Sequence, residues 1–322
     1  MPHRSDPSHP APLARRLRLQ QLAIFVQVVE SGSVLAACGA LAMTQPAVSK
    51  SIQDLEDQVG ARLFERSKAG MRLTEAGAVF ESHARLMLSQ LRYLSEDLNA
   101  LETGASGQLV VGTLIAASAT LLPQALGLLR QRAPGVGVTV KVGSNSTLFP
   151  QLLKGEVDIV LGMLPDEAAL APQPGGSLLR HVPLFGEGLD VVLSARHPLA
   201  AQDSIGAEQL GGLEWILPTR ESANYPAVQK FFRKRRLKLP DQPIESVSIL
   251  TNLELIVQWN MAAMMPRSAA RRFEQLGLVK TLAFAELEQV TRVGYTVRAD
   301  RERSALVQNF IRVLQDASGP AG

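Results

Sequence analysis

Polar side chains able to read a DNA base lie on one side of a predicted helix, in the stretch TQPAVSKSIQDLE at 44–56. Amide side chains can make bidentate contacts to adenine in the major groove, and lysine can reach guanine or a phosphate. Periodicity alone leaves a second interpretation open, an amphipathic helix whose polar face only meets water. The polar positions are Gln45, Ser49, Lys50 and Gln53.

The opposite side of this helix is an apolar stripe that would hold it in place. Val48, Ile52, Leu55 and Val59 recur at spacings of four, three and four, which is helical periodicity. Thr44 is a suitable N-cap, and Pro46 falls in the first turn, where its missing N–H costs nothing. The pattern therefore predicts a helix that begins after Thr44.

Two shorter helices are predicted immediately before it. Apolar residues from Leu19 to Val29 indicate a helix that ends at Gly32, and Ser33 can cap a second one rich in alanine. A tight turn at 42–43 then leads into the polar-faced helix. A helix pair joined by a tight turn, with a polar second member, is the layout of a helix-turn-helix unit.

A basic run follows this helix, RLFERSKAGMR at 62–72, in which four basic residues face one acid, Glu65. It predicts two short extended pieces around a turn at 68–70, forming a β-wing beside the helices. Basic side chains placed there would meet backbone phosphates or a minor groove. By composition alone the run is more typical of a solvated face. The candidate contacts are Arg66, Lys68 and Arg72.

A long helix is predicted from Thr74 to Leu101, with apolar residues at alternating steps of four and three. This is about three heptads of a coiled-coil seam, which predicts pairing of two copies of the chain. A Gly/Ser-rich stretch, ETGASG, follows the helix. A single helix packed on its own domain is the alternative. The seam comprises Phe80, Ala84, Met87, Leu91, Leu94, Leu98 and Leu101.

Beyond Gly107 the pattern changes to strands alternating with helices, which predicts an α/β fold with a parallel, doubly wound sheet. A second α/β lobe is expected from about Arg180, and a terminal strand and helix should return to the first lobe. Two such lobes form a cleft, where ligands of open parallel sheets usually bind.

Composition limits the classes of protein that fit. The chain has 322 residues, 46% hydrophobic and 20% charged, with a net charge of +3. Prolines interrupt the first 17 residues, so we expect a disordered leader and a cytoplasmic protein without membrane association. The single cysteine, Cys38, excludes an intramolecular disulfide, and the five histidines show no metal-ligand spacing. No metal or other cofactor is therefore expected.

The stretch AACGALAMTQPAVSKSIQDLEDQVGARLFER, together with LTEAG, resembles the N-terminal signature of LysR-type transcriptional regulators. Later landmarks of the same resemblance are LLP at 121–123, LLKGEVDIVLG at 152–162 and RHPL at 196–199. The resemblance implies a winged helix-turn-helix domain at 18–75, a linker helix and hinge at 76–106, and an effector-binding domain at 107–316. Lobe I would span about 107–179 and 279–316, and lobe II about 180–278.

The resemblance also implies roles for single residues. Gln45, Pro46 and Ser49 would lie at the bases, and Arg66 would be the wing arginine. Thr44, Lys50, Arg72 and Thr74 would contact phosphates. Members of the family typically bind double-stranded DNA at an interrupted palindrome as a dimer of dimers, and RNA polymerase is a further candidate partner. A small effector in the cleft changes the bend of the DNA.

The effector site is expected to hold a small organic or aromatic acid. Ser144 and Asn145 close a strand of lobe I, where a helix N-terminus can hold an anion. In the family's arrangement, residues after the strand WILP face the same cleft; there Arg220 could pair with a carboxylate and Tyr225 could stack on a ring. Ala116 stands where relatives often have a hydroxyl, so Ser118 or Thr120 would substitute. The remaining candidates are Thr219 and Asn224.

Other departures from the family pattern favour structural roles. Cys38 stands where alanine is usual, and a small core residue is favoured over a redox sensor. Trp259 and Met261 stand where glycines are usual. The basic run FFRKRRLK at 231–238 ends a predicted helix, so a solvated face is favoured over a nucleic-acid contact.

Two other classes of function fit parts of the sequence. A solute-binding protein would share the two α/β lobes, but the N-terminal helices and the absence of an export signal count against it. An enzyme would need a catalytic or nucleotide-binding motif, and the chain contains no G-x-G-x-x-G, G-x-x-x-x-G-K-[ST], G-x-S-x-G or H-E-x-x-H pattern of the required context. The sequence therefore predicts a regulator and not an enzyme.

Overall fold

The computed structural model describes residues 11–67, 70–103, 107–114, 117, 120–165, 178–202, 205–222, 224–288, 291–302 and 304–318. The chain forms two compact units, Met1–Leu98 with Leu153–Glu156, and Asn99–Leu152 with Val157–Gly322. Within the described residues, no helix combines the length and the apolar composition that a membrane crossing requires.

The first unit begins with four helices: α1 (Ala11–Arg16), α2 (Leu19–Ser31), α3 (Val34–Leu41) and α4 (Gln45–Val59). Helix α1 lies inside the leader that was predicted to be disordered. Its sequence APLARR combines good helix formers with a proline in the first turn, where proline is tolerated, so a short helix can form.

The predicted ends of α2, α3 and α4 are confirmed by their caps. Gly32 ends α2 in the left-handed conformation, with a φ of 66°. Ser33 Oγ accepts a hydrogen bond from the N–H of Ala36 at 3.1 Å, which caps α3. Thr44 is the N-cap of α4, although its side chain makes no capping bond. The stripe on α4 is buried through Val48, Ile52 and Leu55 in the core of this unit.

A two-stranded wing follows, formed by β1 (Phe64–Ser67) and β2 (Gly70–Leu73). The two extended pieces that the sequence predicted pair antiparallel, with Phe64 opposite Leu73. Helix α5 (Glu75–Thr103) comes next. Its first turn lies so close to the wing that a Cβ on Gly77 would be 2.0 Å from the carbonyl oxygen of Leu63. The residue that leads into the wing and the first turn of α5 are therefore packed against each other without space for a side chain.

The first sheet of the second unit has the strand order β4-β3-β5-β12-β6. Strand β3 pairs parallel with β4 and β5, and β12 pairs antiparallel with β5 and β6. The apolar core packs α6 (Leu121–Arg132) and α12 (Ala305–Ala317) on this sheet. The other elements are β3 (Gly107–Thr113), β4 (Val136–Val142), β5 (Ile159–Met163), β6 (Leu179–Glu187), β12 (Thr291–Arg298) and α7 (Asn145–Lys154).

The second sheet has the order β11-β7-β10-β8-β9. Its strands are β7 (Leu189–Ser194), β8 (Trp215–Leu217), β9 (Ile244–Glu245), β10 (Ala262–Pro266) and β11 (Val279–Leu282). Two hydrophobic cores cover its faces. The helices of this lobe are α8 (Ala207–Gly211), α9 (Tyr225–Lys234), α10 (Ile249–Trp259) and α11 (Arg267–Gln275).

The two lobes meet at different residues from those expected. Strand β6 pairs with β12 from Leu179 to Glu187, so lobe I continues to Glu187 instead of ending at 179. Strand β11 pairs with β7, so lobe II extends past 278 to Leu282. Both strands are short alternating segments next to a crossing, and only their pairing partners decide to which sheet they belong. The terminal strand and helix return to lobe I, as predicted.

Candidate nucleic-acid interface and ligand cleft

The polar face of α4 is exposed along its first three turns. The apolar stripe lies in the core, so the polar side chains must point away from the unit. Arg62 and Arg72, at the two ends of the wing segment, are exposed as well. This surface could enter a major groove and contact phosphates. Its exposed members on and beside α4 are Thr44, Gln45, Pro46, Ser49, Lys50 and Gln53.

Two of the predicted wing contacts cannot be placed. Lys68 lies outside the described residues, and the side chain of Arg66 is likewise outside what the structure describes. Thr74 is half-buried, and its hydroxyl is already used: it donates to the carbonyl of Arg62 at 2.7 Å and accepts from the N–H of Gly77 at 3.0 Å. Its position within the fold is that of a helix cap for α5.

Glu56 links α4 to the wing, a role that the sequence interpretation did not assign. Its side chain is buried, and Oε1 accepts hydrogen bonds from the N–H groups of Leu63 at 2.7 Å and Phe64 at 3.1 Å. Arg62 donates to Oε2 at 3.1 Å. A carboxylate next to the apolar stripe of an amphipathic helix is the signal that could have indicated this contact.

The predicted seam of α5 divides into two parts. Phe80 packs edge-on against Phe25, with ring centroids 4.9 Å apart, and Ala84 is 1% exposed, so both belong to the core of the first unit. Both side chains share this core with Phe25 of α2. The side chain of Leu101 lies outside the described residues. The part of the seam that is exposed consists of Met87, Leu91, Leu94 and Leu98.

A cleft of about 660 Å³ lies between the two sheets of the second unit. It is bordered by the carboxyl ends of β3, β4 and β5 in lobe I and of β8, β9 and β10 in lobe II, the place expected for ligands of open α/β sheets. Its polar lining consists of Ser144, Asn145, Ser146, Thr219, Glu221, Ser222, Asn224, Ser246, Asn252 and Thr291.

Four of the predicted effector contacts lie in this lining: Ser144, Asn145, Thr219 and Asn224. Ser118 lies outside the described residues. Arg220 is exposed and does not line the cleft, and neither does Tyr225, which begins α9. An acid held by Arg220 and stacked on Tyr225 therefore has no support in the lining.

Several residues of the cleft escaped the sequence interpretation because α10 was not predicted. Asn252 lies on α10 and is 7% exposed, with its Nδ2 donating to the carbonyl of Ser246 at 3.4 Å. An asparagine on the apolar side of the segment ILTNLELIVQW is the signal that could have found it. Ser222 and Ser246 were missed because both occupy short loops without a pattern of their own.

A buried acid, Glu187, lies at the end of β6, where the chain passes from lobe I to lobe II beside the cleft. Burial raises the pKa of Glu187, although hydrogen bonds from Ser268 act in the opposite direction. Its Oε2 accepts from Ser268 Oγ at 2.6 Å. Gly188 follows at the crossing, and a Cβ there would be 2.4 Å from the carbonyl oxygen of Glu288. The chain between the lobes is thus tightly packed at this point.

Two family models match the chain. One is described as the bacterial regulatory helix-turn-helix protein, lysR family, and matches residues 19–78; the other is the LysR substrate binding domain and matches residues 102–319. Among curated proteins, the chain is similar to the HTH-type transcriptional regulator GbpR of Azospirillum brasilense, 29% identical over 95% of this chain and 88% of the relative.

Solved structures of whole chains have the same fold. A full-length OxyR variant from Pseudomonas aeruginosa matches with a TM-score of 0.68 and 24% identity, over 93% of this chain and 97% of that one. Full-length CbnR, solved with its target DNA, matches with a TM-score of 0.65 and 18% identity, over 94% of this chain and all (100%) of that one.

Proposed function

Because the chain belongs to the LysR family of bacterial regulatory helix-turn-helix proteins, we propose that it binds an operator through α4 and the wing, and that a ligand in the cleft changes this binding. The protein is a LysR-type transcriptional regulator with an effector-binding domain, and not an enzyme. Operator DNA lies in the bacterial cytoplasm, so the protein acts there.

The proposal that the chain binds DNA rests on the exposed polar face of α4. Because the apolar stripe of this helix is buried, its amide side chains point outward and can contact base edges. Gln45, Pro46 and Ser49 approach the bases, while Thr44, Lys50, Gln53 and Arg72 contact bases or phosphates. Arg66 and Lys68 extend the phosphate contacts along the wing. Thr74 supports this surface by capping α5 beside the wing.

Two copies of the chain pair through the exposed part of the seam, Met87 to Leu98, with Leu101 continuing it. Phe80 and Ala84 contribute by fixing the first turns of α5 to their own unit. A pair of recognition helices related by a two-fold axis then meets half-sites one helical turn apart, which gives a palindromic operator. A dimer of dimers would occupy two such sites, and RNA polymerase is the partner at a promoter.

The test is a titration of the full-length protein against the intergenic DNA beside its own gene, at two salt concentrations and with competitor DNA. Saturable binding that survives competitor, with a footprint that repeats as an inverted pair, is the expected result. Binding that is weak, independent of sequence and lost with salt would contradict the proposal.

A further inference from the structure

Three asparagine side chains at the ligand cleft have buried oxygens that accept no hydrogen bond from the described residues, namely the Oδ1 atoms of Asn145, Asn224 and Asn252. Asn252 is 7% exposed, and its Nδ2 donates to Ser246, which fixes the oxygen as the unpaired atom. Buried polar atoms are usually paired, so a cluster of unpaired acceptors around one cleft indicates a missing donor.

Each of these asparagines stands at the start of a helix. Asn145 is the first residue of α7, Asn224 is the N-cap of α9, and Asn252 lies in the first turns of α10. The first N–H groups of a helix have no acceptor inside it. In α10, Ser248 Oγ accepts the N–H of Thr251, which leaves the N–H of Ile249, a lining residue of the cleft, for another acceptor. In α9 Pro226 provides no N–H.

The cleft therefore offers acceptors and donors side by side. A hydroxyl group is the group that serves both, because it can accept from a helix N–H while it donates to an asparagine oxygen. A carboxylate can only accept, and an ammonium group can only donate. Either of them would leave one set of polar groups at the cleft without partners.

The charges at the cleft argue against an acidic ligand. Glu221 is the only ionisable side chain among the described residues that line the cleft, and none of those residues is aromatic. The stretches 115–119 and 166–177, which follow lining residues Leu114 and Pro165 in the sequence, contain no lysine, arginine, histidine or aromatic residue. An acid would thus meet no cation in this lining, and an aromatic ring would meet no ring.

The N-termini of the helices favour a bound anion, whereas the unpaired asparagine oxygens favour a ligand that donates hydrogen bonds. The sizes of these two effects must therefore be compared. A charge at one exposed helix start gains about two- to fivefold in affinity. Leaving one buried polar group unpaired costs about five- to a hundredfold. Three buried oxygens therefore outweigh the helix starts.

We propose that the effector is an uncharged, polyhydroxylated small molecule, such as a sugar or a cyclic polyol, whose hydroxyl groups donate to Asn145, Asn224 and Asn252. This inference rests on the proposed function, because it takes the cleft as the effector site. The volume of about 660 Å³ is within the range of small-molecule pockets.

The experiment compares three classes of probe that share a ring or chain: neutral pentoses, hexoses, hexitols and myo-inositol; their aldonate and uronate acids; and hexosamines. Binding to the full-length protein is measured by thermal shift and then by calorimetry. We expect binding from the neutral class, with its acid counterpart at least about tenfold weaker, as for the loss of one well-formed hydrogen bond.

Variants of the asparagines test whether a bound ligand contacts these side chains. Asn252→Leu removes the acceptor and should weaken the neutral ligand by about tenfold, whereas Asn252→Gln keeps an amide with both an acceptor and a donor and should weaken it less. Asn309→Leu is the matched control, since Asn309 is a half-buried asparagine of α12 that does not line the cleft. If Asn252→Leu does not fold, Asn145→Leu tests the same point.

Tighter binding of the acids or the amines than of the neutral class, with the asparagine variants unaffected, would overturn the inference and leave the cleft as the effector site. No binding from any class would overturn it together with the effector half of the proposed function. The DNA titration tests operator binding independently of any ligand. A failure of the polyol inference can therefore be distinguished from a failure of the proposed DNA-binding function.

Discussion

The carboxylate of Glu56 on α4 accepts a hydrogen bond from the backbone N–H of Leu63 at 2.7 Å. This bond, with a second one from Phe64 at 3.1 Å, attaches the first wing strand to α4 inside the unit. The relative position of helix and wing, and with it the shape of the proposed DNA-binding surface, thus depends on one buried side chain.

Glu56→Ala should destabilise the first unit by about 3 kcal/mol, because two buried N–H groups lose their acceptor. Glu56→Gln should cost less, since its amide oxygen can still accept. Urea denaturation followed by far-UV circular dichroism measures both. Glu65→Ala, which removes an exposed carboxylate from the neighbouring strand, is the control and should leave the midpoint unchanged. A Glu56→Ala variant as stable as the parent would show that the wing is held by other contacts.

Gln45→Ala and Ser49→Ala should lower discrimination between operator and random DNA, by about 1 to 3 kcal/mol for each base contact that is lost. Both side chains are exposed on the polar face of α4. Competition titrations at fixed salt measure the ratio of specific to non-specific affinity. Gln20→Ala, an exposed amide on α2, should change neither affinity.

Arg72→Ala should weaken binding to operator and random DNA alike, because a phosphate contact carries no sequence information. The slope of log affinity against log salt should fall by about 1. Arg66→Ala is expected to behave in the same way. A change in specificity without a change in slope would assign the arginine to a base instead.

Leu94→Glu should disrupt pairing of the linker helices. Leu94 is 56% exposed in the single chain, and burying an unpaired carboxylate in a seam should raise the dissociation constant of the dimer by at least about tenfold. Light scattering over a dilution series reports the association state. Val79→Glu is the matched control, since Val79 is a 63% exposed apolar residue of the same helix outside the seam. Equal effects of the two variants would contradict the seam.

Glu187→Gln should stabilise the second unit more at neutral pH than at acid pH. Burial raises the pKa of Glu187 in the folded state, so its contribution to stability is complete below the unfolded value of about 4.3 and is lost as the pH rises through the folded value. The advantage of the neutral variant therefore grows with pH. Both tryptophans, Trp215 and Trp259, lie in the second unit, so their fluorescence follows its unfolding.

Glu274→Gln should show the opposite trend. Burial alone would raise the pKa of Glu274, but hydrogen bonds from Thr281 and the charge of Lys280 lower it overall. Its contribution is present above about 4.3 and is lost as the pH falls through the folded value. The variant should therefore be less stable than the parent at neutral pH and approach it in acid. Parallel pH profiles for the two variants would refute at least one of the two assignments.

Helix periodicity and cap residues were sufficient to predict α2, α3, α4 and α5, because each has apolar residues at helical spacing or a recognisable first or last residue. It did not predict α10, whose residues ILTNLELIVQW are apolar on most sides and follow the two-residue strand β9. The sequence also did not predict which strands the short strands β6 and β11 pair with, and both join sheets other than those expected. Strand pairing depends on residues that are distant in the chain.

By itself the sequence determined the order of elements from α2 to β5, the exposed polar face of α4 and the position of the cleft at the carboxyl ends of parallel strands. These follow from local periodicity and from the rule that sets where open sheets bind ligands. Only the tertiary structure decided that Glu56 supports the wing, that Phe80 and Ala84 are core residues, and that asparagines rather than Arg220 line the cleft. Which side chains are buried together depends on how distant segments pack, and no local pattern records that packing.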